Sequence, residues 1–371
     1  MQAIFLQALD PVAETIAEPN SYGFRRERSC ADAMSQCWEV LAKRTSARWV
    51  LEGDIKACFD RIDHEWLLAH LPIGDKALFQ KWLKSGCLDK LVFHPTEQGT
   101  PQGGIISPVL ANLALDGMER MLADRFARGW RTRRRNKVHL VRYADDFVIT
   151  GSSKELLENE VKPLVSAFLA ERGLELSEEK TTITRIEDGF DFLGQTIRRF
   201  GGKILTMPSK PNVAAFLANI REVVKANRSA TAGHLVMQLN SKIKGWAMYH
   251  RHSCAKKTFA RVDHAIFQTL WRWCVRRHPN KGKRWIAAKY FTTVPSETGG
   301  NHWVFCGEVK RPNGESRLVT LFQAVRVRIR RHIKIRSGVN PYSPEWAEYL
   351  KRRHSREDLR SYPAPGSPRS R

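Results

Sequence analysis

Two adjacent carboxylates, Asp145 and Asp146, stand in the middle of VHLVRYADDFVIT, residues 138–150. Val138, Leu140 and Val141 precede them, and Phe147, Val148 and Ile149 follow. Two β-branched apolar runs around a short polar break read as a β-hairpin with the aspartates at its tip. Carboxylates this close repel unless a cation lies between them, and hard oxygen ligands suit Mg²⁺. Taken alone, the pair is equally the mark of a turn that favours Asp.

A second strand ending in a carboxylate lies upstream in WVLEGDIKACFD, residues 49–60, which carries Asp54. Between the two lies GTPQGGIISP, residues 99–108, a Gly/Pro/Gln loop running into a helix. In this order and spacing the three segments resemble motifs A, B and C of a reverse transcriptase palm. The resemblance implies nucleotidyl transfer with two Mg²⁺ ions about 3.5–4 Å apart, one activating a 3′-hydroxyl and one neutralising the leaving pyrophosphate. Asp54 and Asp145 would bridge the metals, and Asp146 with the backbone carbonyl of Ile55 would complete their shell. Phe59 falls at the family's steric-gate position, where an aromatic ring crowds a ribose 2′-hydroxyl and favours dNTPs. Gln102 would support the nucleotide, while Gly103 and Gly104 would let the backbone approach the base pair. Asp60 and Asp63 follow the strand and read as the entry to a helix beginning near Asp63-His64-Glu65-Trp66.

The match narrows further. NSYGFRRERS, residues 20–29, resembles the YGFRPGRS block of group II intron reverse transcriptases, with Arg26-Glu27 where the family has Pro-Gly. LELSEEKT (174–181) and FDFLG (190–194) resemble motifs D and E. Lys180 would then sit near the pyrophosphate as a proton donor; its other reading is a solvated charge at a strand edge. GWAMYHRH (245–252), Phe259 to His264, LWRW (270–273), RRHPN (276–280), KRWIAAKYF (283–291) and Asn340 to Trp346 resemble the maturase, or thumb, region. The resemblance runs from about residue 1 to 350, and the chain is identified as a member of the bacterial group II intron-encoded reverse transcriptase/maturase family. It implies an RNA-directed DNA polymerase that also helps its intron splice and move. Its partners would be intron RNA, an RNA template with a DNA primer, and dNTPs. The family carries a fingers region before the YGFR block and often an HNH endonuclease at the end. This chain starts just before YGFR and ends before any HNH segment, so the expectation is an N-terminally truncated member without DNA cleavage. The alternative is a catalytically inactive fragment acting only as an RNA-binding splicing cofactor.

Composition points the same way. A length of 371 residues allows two or three domains. The net charge is +24, unevenly spread: residues 1–197 hold 26 basic and 29 acidic residues, and residues 198–371 hold 36 and 9. A field of that sign on the C-terminal half attracts polyphosphate backbones and makes binding salt-dependent. An acidic membrane surface is the competing partner. It is disfavoured because there is no long apolar span and the basic stretches are interleaved with Trp and Tyr. Expected RNA contacts are Arg25 and Arg28 in the YGFR block, and Lys242, Lys244, Arg251, Lys256, Lys257, Arg272, Arg276 and Arg277 downstream, with Arg261 among them. Seven cysteines without a C-x-x-C pair exclude a zinc signature and a disulfide framework, as expected of a reducing cytoplasm. The N-terminus lacks the cationic start of a signal peptide, so a cytoplasmic, nucleoid-associated protein is expected.

These residues need elements to hold them. Apolar spacing predicts helices over Gln2–Ala17, Ala31–Leu41, Glu65–Leu71 and Leu156–Arg172, with strands at Asp54 and the YADD turn: an α+β palm with partial fingers. Three helical stripes follow residues 201–211, which read as a connection. They are Val213 to Val224, Leu235 to Trp246, and Phe259 to Trp273, faces for packing with basic residues opposite. The expected organisation is fingers remnant and palm over 1–200, helical thumb over 201–295, a basic segment over 296–355 and a disordered tail over 356–371. Arg128 to Lys137 is either a solvated loop or a template contact. Arg326 to Arg336 is either an amphipathic strand or a tight basic helix.

Overall fold

The computed structural model describes residues 2–72, 74–85, 87–89, 92–94, 98–100, 104–295, 301–310 and 314–355. The chain forms two units, one of residues 1–193, 197–204 and 332–371, the other of 194–196 and 205–331. The expected tail lies outside the described residues.

The first unit begins with α1 (Gln2–Ile16), α2 (Cys30–Leu41) and β1 (Trp49–Gly53). Three short helices follow, α3 (Cys58–Arg61), α4 (His64–His70) and α5 (Lys76–Leu83), then a small hairpin, β2 (Cys87–Asp89) and β3 (Val92–His94). Next come α6 (Ser107–Leu115), α7 (Met118–Phe126) and α8 (Trp130–Asn136), then β4 (His139–Tyr143) and β5 (Asp146–Gly151). Helix α9 (Lys154–Leu156) passes through a π-helical turn at Leu157–Val161 into α10 (Lys162–Ala170), and β6 (Thr182–Arg185) closes the sheet. The sheet order is β4-β5-β1-β6, with every pairing antiparallel.

The continuous apolar runs in β1, β4 and β5 have a simple cause: both faces of the sheet are covered. Leu51, Leu140, Phe147 and Ile149 point into one core with α1, α4 to α7 and α10. Val50, Val141 and Val148 point into another with α2. The second core includes Ile335, Val339, Tyr349 and Leu350 from the end of the chain, where a last helix spans Ala347–Ser355. Its anchor is Asp32, fully buried on α2. Asp32 accepts from His332 Nε2 at 2.9 Å, from the Ile335 amide at 2.7 Å and from Arg353 Nη2 at 2.9 Å.

This corrects the expected basic segment over 296–355. Residues up to 331 belong to the second unit and 332–355 to the first, because Asp32 is a buried charge that needs those partners. The 201–211 connection is instead mostly strand. The chain runs through β7 (Phe190–Phe192), β8 (Gln195–Phe200) and β9 (Lys203–Pro208) where the units divide.

In the second unit the three predicted stripes form α11 (Lys210–Ala226), α12 (Ala232–Tyr249) and α13 (Lys256–Arg277). Val213, Ile220, Leu235, Leu239, Ile243, Phe259, Ile266 and Leu270 share one core. Helix α14 (Lys283–Tyr290) leads into an antiparallel sheet of β10 (Phe291–Pro295), β11 (Asn301–Lys310) and β12 (Ser316–Thr320), which sequence spacing did not announce. Arg326–Arg336 is neither strand nor helix: a 3₁₀ turn at Ala324–Arg326 gives way to irregular chain. Among the described residues no helix is long and apolar enough to cross a membrane.

Candidate active site

Strand pairing brings the three aspartates together. Tyr143 pairs with Asp146, so Ala144 and Asp145 form the two-residue turn of the β4–β5 hairpin. Ala144 has φ +58°, the left-handed conformation such a turn requires and a side chain resists. Gly53 pairs with Phe147, so Asp54, one residue on, stands across from Asp146, one residue before.

The turn is held from outside by the YGFR block. The Tyr22 amide donates to Arg142 O at 2.9 Å and the Arg142 amide to Asn20 O at 2.9 Å, extending the sheet edge. A Cβ on Gly23 would lie 2.3 Å from Ala144 N, so only glycine lets this segment lie against the turn. Asn112 on α6 donates to Gly23 O at 2.9 Å. The guanidinium of Arg142, fully buried, reaches Asn112 Oδ1 at 3.2 Å and Asp116 Oδ1 at 2.5 Å.

Motif D arrives by a second short pairing. The Ser177 amide donates to Asp54 O at 2.9 Å, the Lys56 amide donates to Glu175 O at 2.9 Å, and Ile55 bridges Leu176. These bonds use the carbonyl of Asp54 and the amide of Lys56, not the carbonyl of Ile55. Lys180 is thereby placed with Nζ 2.9 Å from Asp54 Oδ2. Its side chain remains 69% exposed, and the hydrogen bond and the charge of Asp54 raise its pKa.

Asp54, Asp145, Phe59 and Lys180 line one cleft of about 1200 Å³, together with Gly104, Ser107 and Pro108 at the start of α6, and Asp146 lies near enough to feel the charges of Asp145 and Asp54. The side chain of Asp146 is pushed up to about 6 by burial first, then by the charges of Asp145 and Asp54, with Lys180 opposing. Asp145 is raised by burial, and the charge of Asp54 adds to it. Among the described residues no three His, Cys, Asp or Glu side chains are grouped so as to hold a metal ion, and Asp54 is engaged by Lys180. The donor set still fits a hard divalent cation. Its donors are carboxylate oxygens, and their mutual repulsion is what such an ion relieves.

Phe59 stands at the cleft with its ring edge-on to Phe24, centroids 6.1 Å apart. Phe24 is half exposed and held at φ +57°. The sequence reading missed it; the signal was its place directly after Gly23. Gly99 ties the incoming motif B loop to the same spot. Its amide donates to Ile62 O at 2.8 Å, and the next amide, Thr100, donates to Phe59 O at 2.6 Å. Gln102 and Gly103 lie outside the described residues. Asp63 caps α4, accepting from the Trp66 amide at 2.6 Å, as helix entry requires.

The expected RNA contacts divide. Arg25 and Arg28 are corrected: both are buried and face Glu14, at 2.6 Å and 3.5 Å, so they hold α1 rather than present charge to a ligand. Lys242, Lys244, Lys256, Lys257, Arg261, Arg272, Arg276 and Arg277 are exposed and Arg251 partly so. Several of these also bind within the unit, Arg251 Nη1 reaching Met248 Sδ at 3.6 Å. Lys256 Nζ donates to Val325 O at 2.6 Å, and Arg277 Nη1 donates to Ala230 O at 2.7 Å. In the Gly245–His252 stretch, Trp246 and His250 donate or share hydrogen bonds with Asn212 Oδ1 at 2.8 and 3.0 Å, and burial pushes His250 down to about 4. These residues build the core. Cys30, Cys37, Cys58, Cys254, Cys274 and Cys306 are free.

Residues 1–197 match the family model "Reverse transcriptase (RNA-dependent DNA polymerase)", and residues 213–291 match "Group II intron, maturase-specific domain". The chain is 33% identical over 248 residues to the group II intron-encoded protein LtrA of Lactococcus lactis subsp. cremoris, covering 51% of this chain and 41% of that protein. It is 32% identical over 232 residues to protein YkfC of Escherichia coli K12, covering 54% and 60%. The chain thus spans about half the length of the curated relatives it matches. Among solved structures, a Candida tropicalis telomerase aligns with 75% of this chain and 46% of that one at TM-score 0.40 and 15% identity. With Asp54 and Asp145 brought to one cleft by the palm sheet, Asp146 beside them and a region similar to the group II intron maturase-specific domain following, the chain belongs to the reverse transcriptase family.

Proposed function

We propose that this chain copies RNA into DNA at the Asp54, Asp145 and Asp146 centre and binds intron RNA through its second unit. The observation that carries the reading is that Asp54, just after β1, and Asp145, on the β4–β5 turn, line one cleft with Phe59 and Lys180, with Asp146 across from Asp54 beside it.

Asp54, Asp145 and Asp146, with the carbonyl of Ile55, would hold two Mg²⁺ ions. When bound, those ions activate the primer hydroxyl and neutralise the pyrophosphate. The chain's own groups do the rest. The buried Arg142 and the close approach of Gly23 keep the turn in place, so the carboxylates need little reorganisation. Lys180, positive and beside Asp54, would give a proton to the leaving group or offset its charge. Phe59 closes the sugar side of the cleft, and Phe24 packs against it.

In the second unit the exposed Lys and Arg of α12 and α13 supply a polyphosphate-binding face, and the salt dependence of binding should reflect their number. The test is primer extension on an RNA template with Mg²⁺ and dNTPs, comparing the chain with Asp145→Ala/Asp146→Ala. Extension that the double variant lacks supports the reading. Salt-sensitive RNA binding without extension would leave only a splicing cofactor.

A further inference from the structure

Helix α8 serves neither core. It has no buried residue, and all four of its arginines are exposed. Between residues 125 and 137 there are seven basic residues and no acidic one. The first 197 residues hold 26 basic and 29 acidic residues, so without this stretch the rest would be 19 against 29. Within those 197 residues the cluster is therefore an island of positive charge in an otherwise acidic stretch. Arg131 stands three and four residues before Arg134 and Arg135, a spacing at which like charges repel along a helix. Folding gains nothing from that arrangement.

The helix is nevertheless fixed. The Ser152 amide donates to Asn136 O at 2.9 Å, Thr150 Oγ1 donates to Lys137 O at 2.7 Å, and Asn136 Nδ2 donates to Phe126 O at 3.3 Å. These bonds tie it to the end of the β4–β5 hairpin opposite the carboxylate turn. At about 3.3 Å per strand residue the five residues of β4 put it roughly 15 Å from that turn. Beside the arginines, Trp130 is 68% exposed, with the Arg131 guanidinium 5.6 Å from its ring.

We infer that α8 is a binding site for single-stranded RNA, separate from the polymerase cleft. Arg131, Arg134 and Arg135 would meet phosphates, and Trp130 would stack on an unpaired base. The inference rests on the RNA-binding reading above. An exposed indole face offers nothing to a base already stacked inside a duplex, whereas an unpaired base can lie on it. A lipid surface does not suit the patch, because α8 has one aromatic residue and no apolar stripe to insert.

The experiment is photocrosslinking of the full chain to a thiouridine-containing single-stranded RNA, with adducts mapped by mass spectrometry. The expected result is an adduct on Trp130 that persists in Asp145→Ala/Asp146→Ala. Trp130→Ala should remove it and weaken single-strand affinity by roughly fivefold or more, with Trp130→Phe close to the parent. Replacing Arg131, Arg134 and Arg135 by Ala should lower the slope of log affinity against log salt by about 2. Adducts elsewhere but none at Trp130, with affinity and slope unchanged in both sets of variants, would overturn this site alone. No RNA binding by the chain at all would overturn it together with the function proposed above.

Discussion

Arg142 Nη2 donates to Asp116 Oδ1 at 2.5 Å, and the arginine is wholly buried just before the carboxylate turn. The pair occupies an acidic pocket. Burial pushes Asp116 up against the opposing charge of Arg142, and it pushes Glu18 up to about 7 against the same charge. Removing one partner of a buried pair leaves the other charge uncompensated. Arg142→Met should therefore lower unfolding free energy by about 3–5 kcal/mol, read by urea denaturation. A loss below about 1 kcal/mol, the value of an exposed pair, would contradict the brace.

Gly23 offers a finer test of the same support. An alanine there would press on the backbone of the carboxylate turn, with its Cβ 2.3 Å from Ala144 N. Gly23→Ala should reduce kcat for extension by at least about tenfold, since small misplacement of catalytic groups is costly. RNA affinity of the second unit should hold. Normal kcat in a folded Gly23→Ala chain would show that the turn does not depend on this contact.

Sugar selection should depend on two rings. Phe59→Ala should relax rejection of rNTPs. Phe24→Ala should relax it less, because Phe24 acts through its edge contact with Phe59. The readout is the ratio of kcat/KM for dNTP and rNTP. A ratio unchanged in both variants would remove the gate assignment.

Acid stability should follow Asp32. Burial alone would raise its pKa, but the hydrogen bond from His332, the charge of Arg353 and the Ser29 hydroxyl hold it at about 2. A carboxyl lowered in the folded state stabilises above its ordinary pKa of 3.8, and that stability is lost as pH falls toward about 2. Glu18 has the opposite sign: raised to about 7, it contributes below its ordinary 4.5 and loses that contribution as pH rises through neutrality. Asp32→Asn should flatten the acid limb of a pH–stability curve measured by denaturation. An unchanged limb would show that the return of residues 332–355 is not anchored there.

The nearness of Asp54, Asp145 and Asp146 was legible because its signals are local. A carboxylate pair between apolar runs marks a hairpin, and three such segments in order mark a palm. The thumb helices were legible because their apolar residues repeat at helical spacing. What stayed hidden depends on distant partners. Arg25 and Arg28 look like surface charge until Glu14 is seen beside them. The link between Asp32 and Arg353 spans most of the chain and leaves no periodic trace. Residues 325–336 alternate like a strand, yet from 327 they run as irregular chain, and the residues after Arg331 join the first unit. The Arg128–Lys137 stretch was open between loop and template contact. Residues 130–136 are helix, set at the end of the hairpin away from the carboxylates.

The most direct measurement is single-nucleotide incorporation on an RNA template across a range of Mg²⁺ concentrations, for the parent chain and for Asp54→Asn, with RNA binding measured on the same samples. The account predicts Mg²⁺-dependent incorporation by the parent and none by Asp54→Asn at any Mg²⁺ level, with equal RNA affinity. Equal incorporation by both, or none by a parent chain that holds its template, would contradict it.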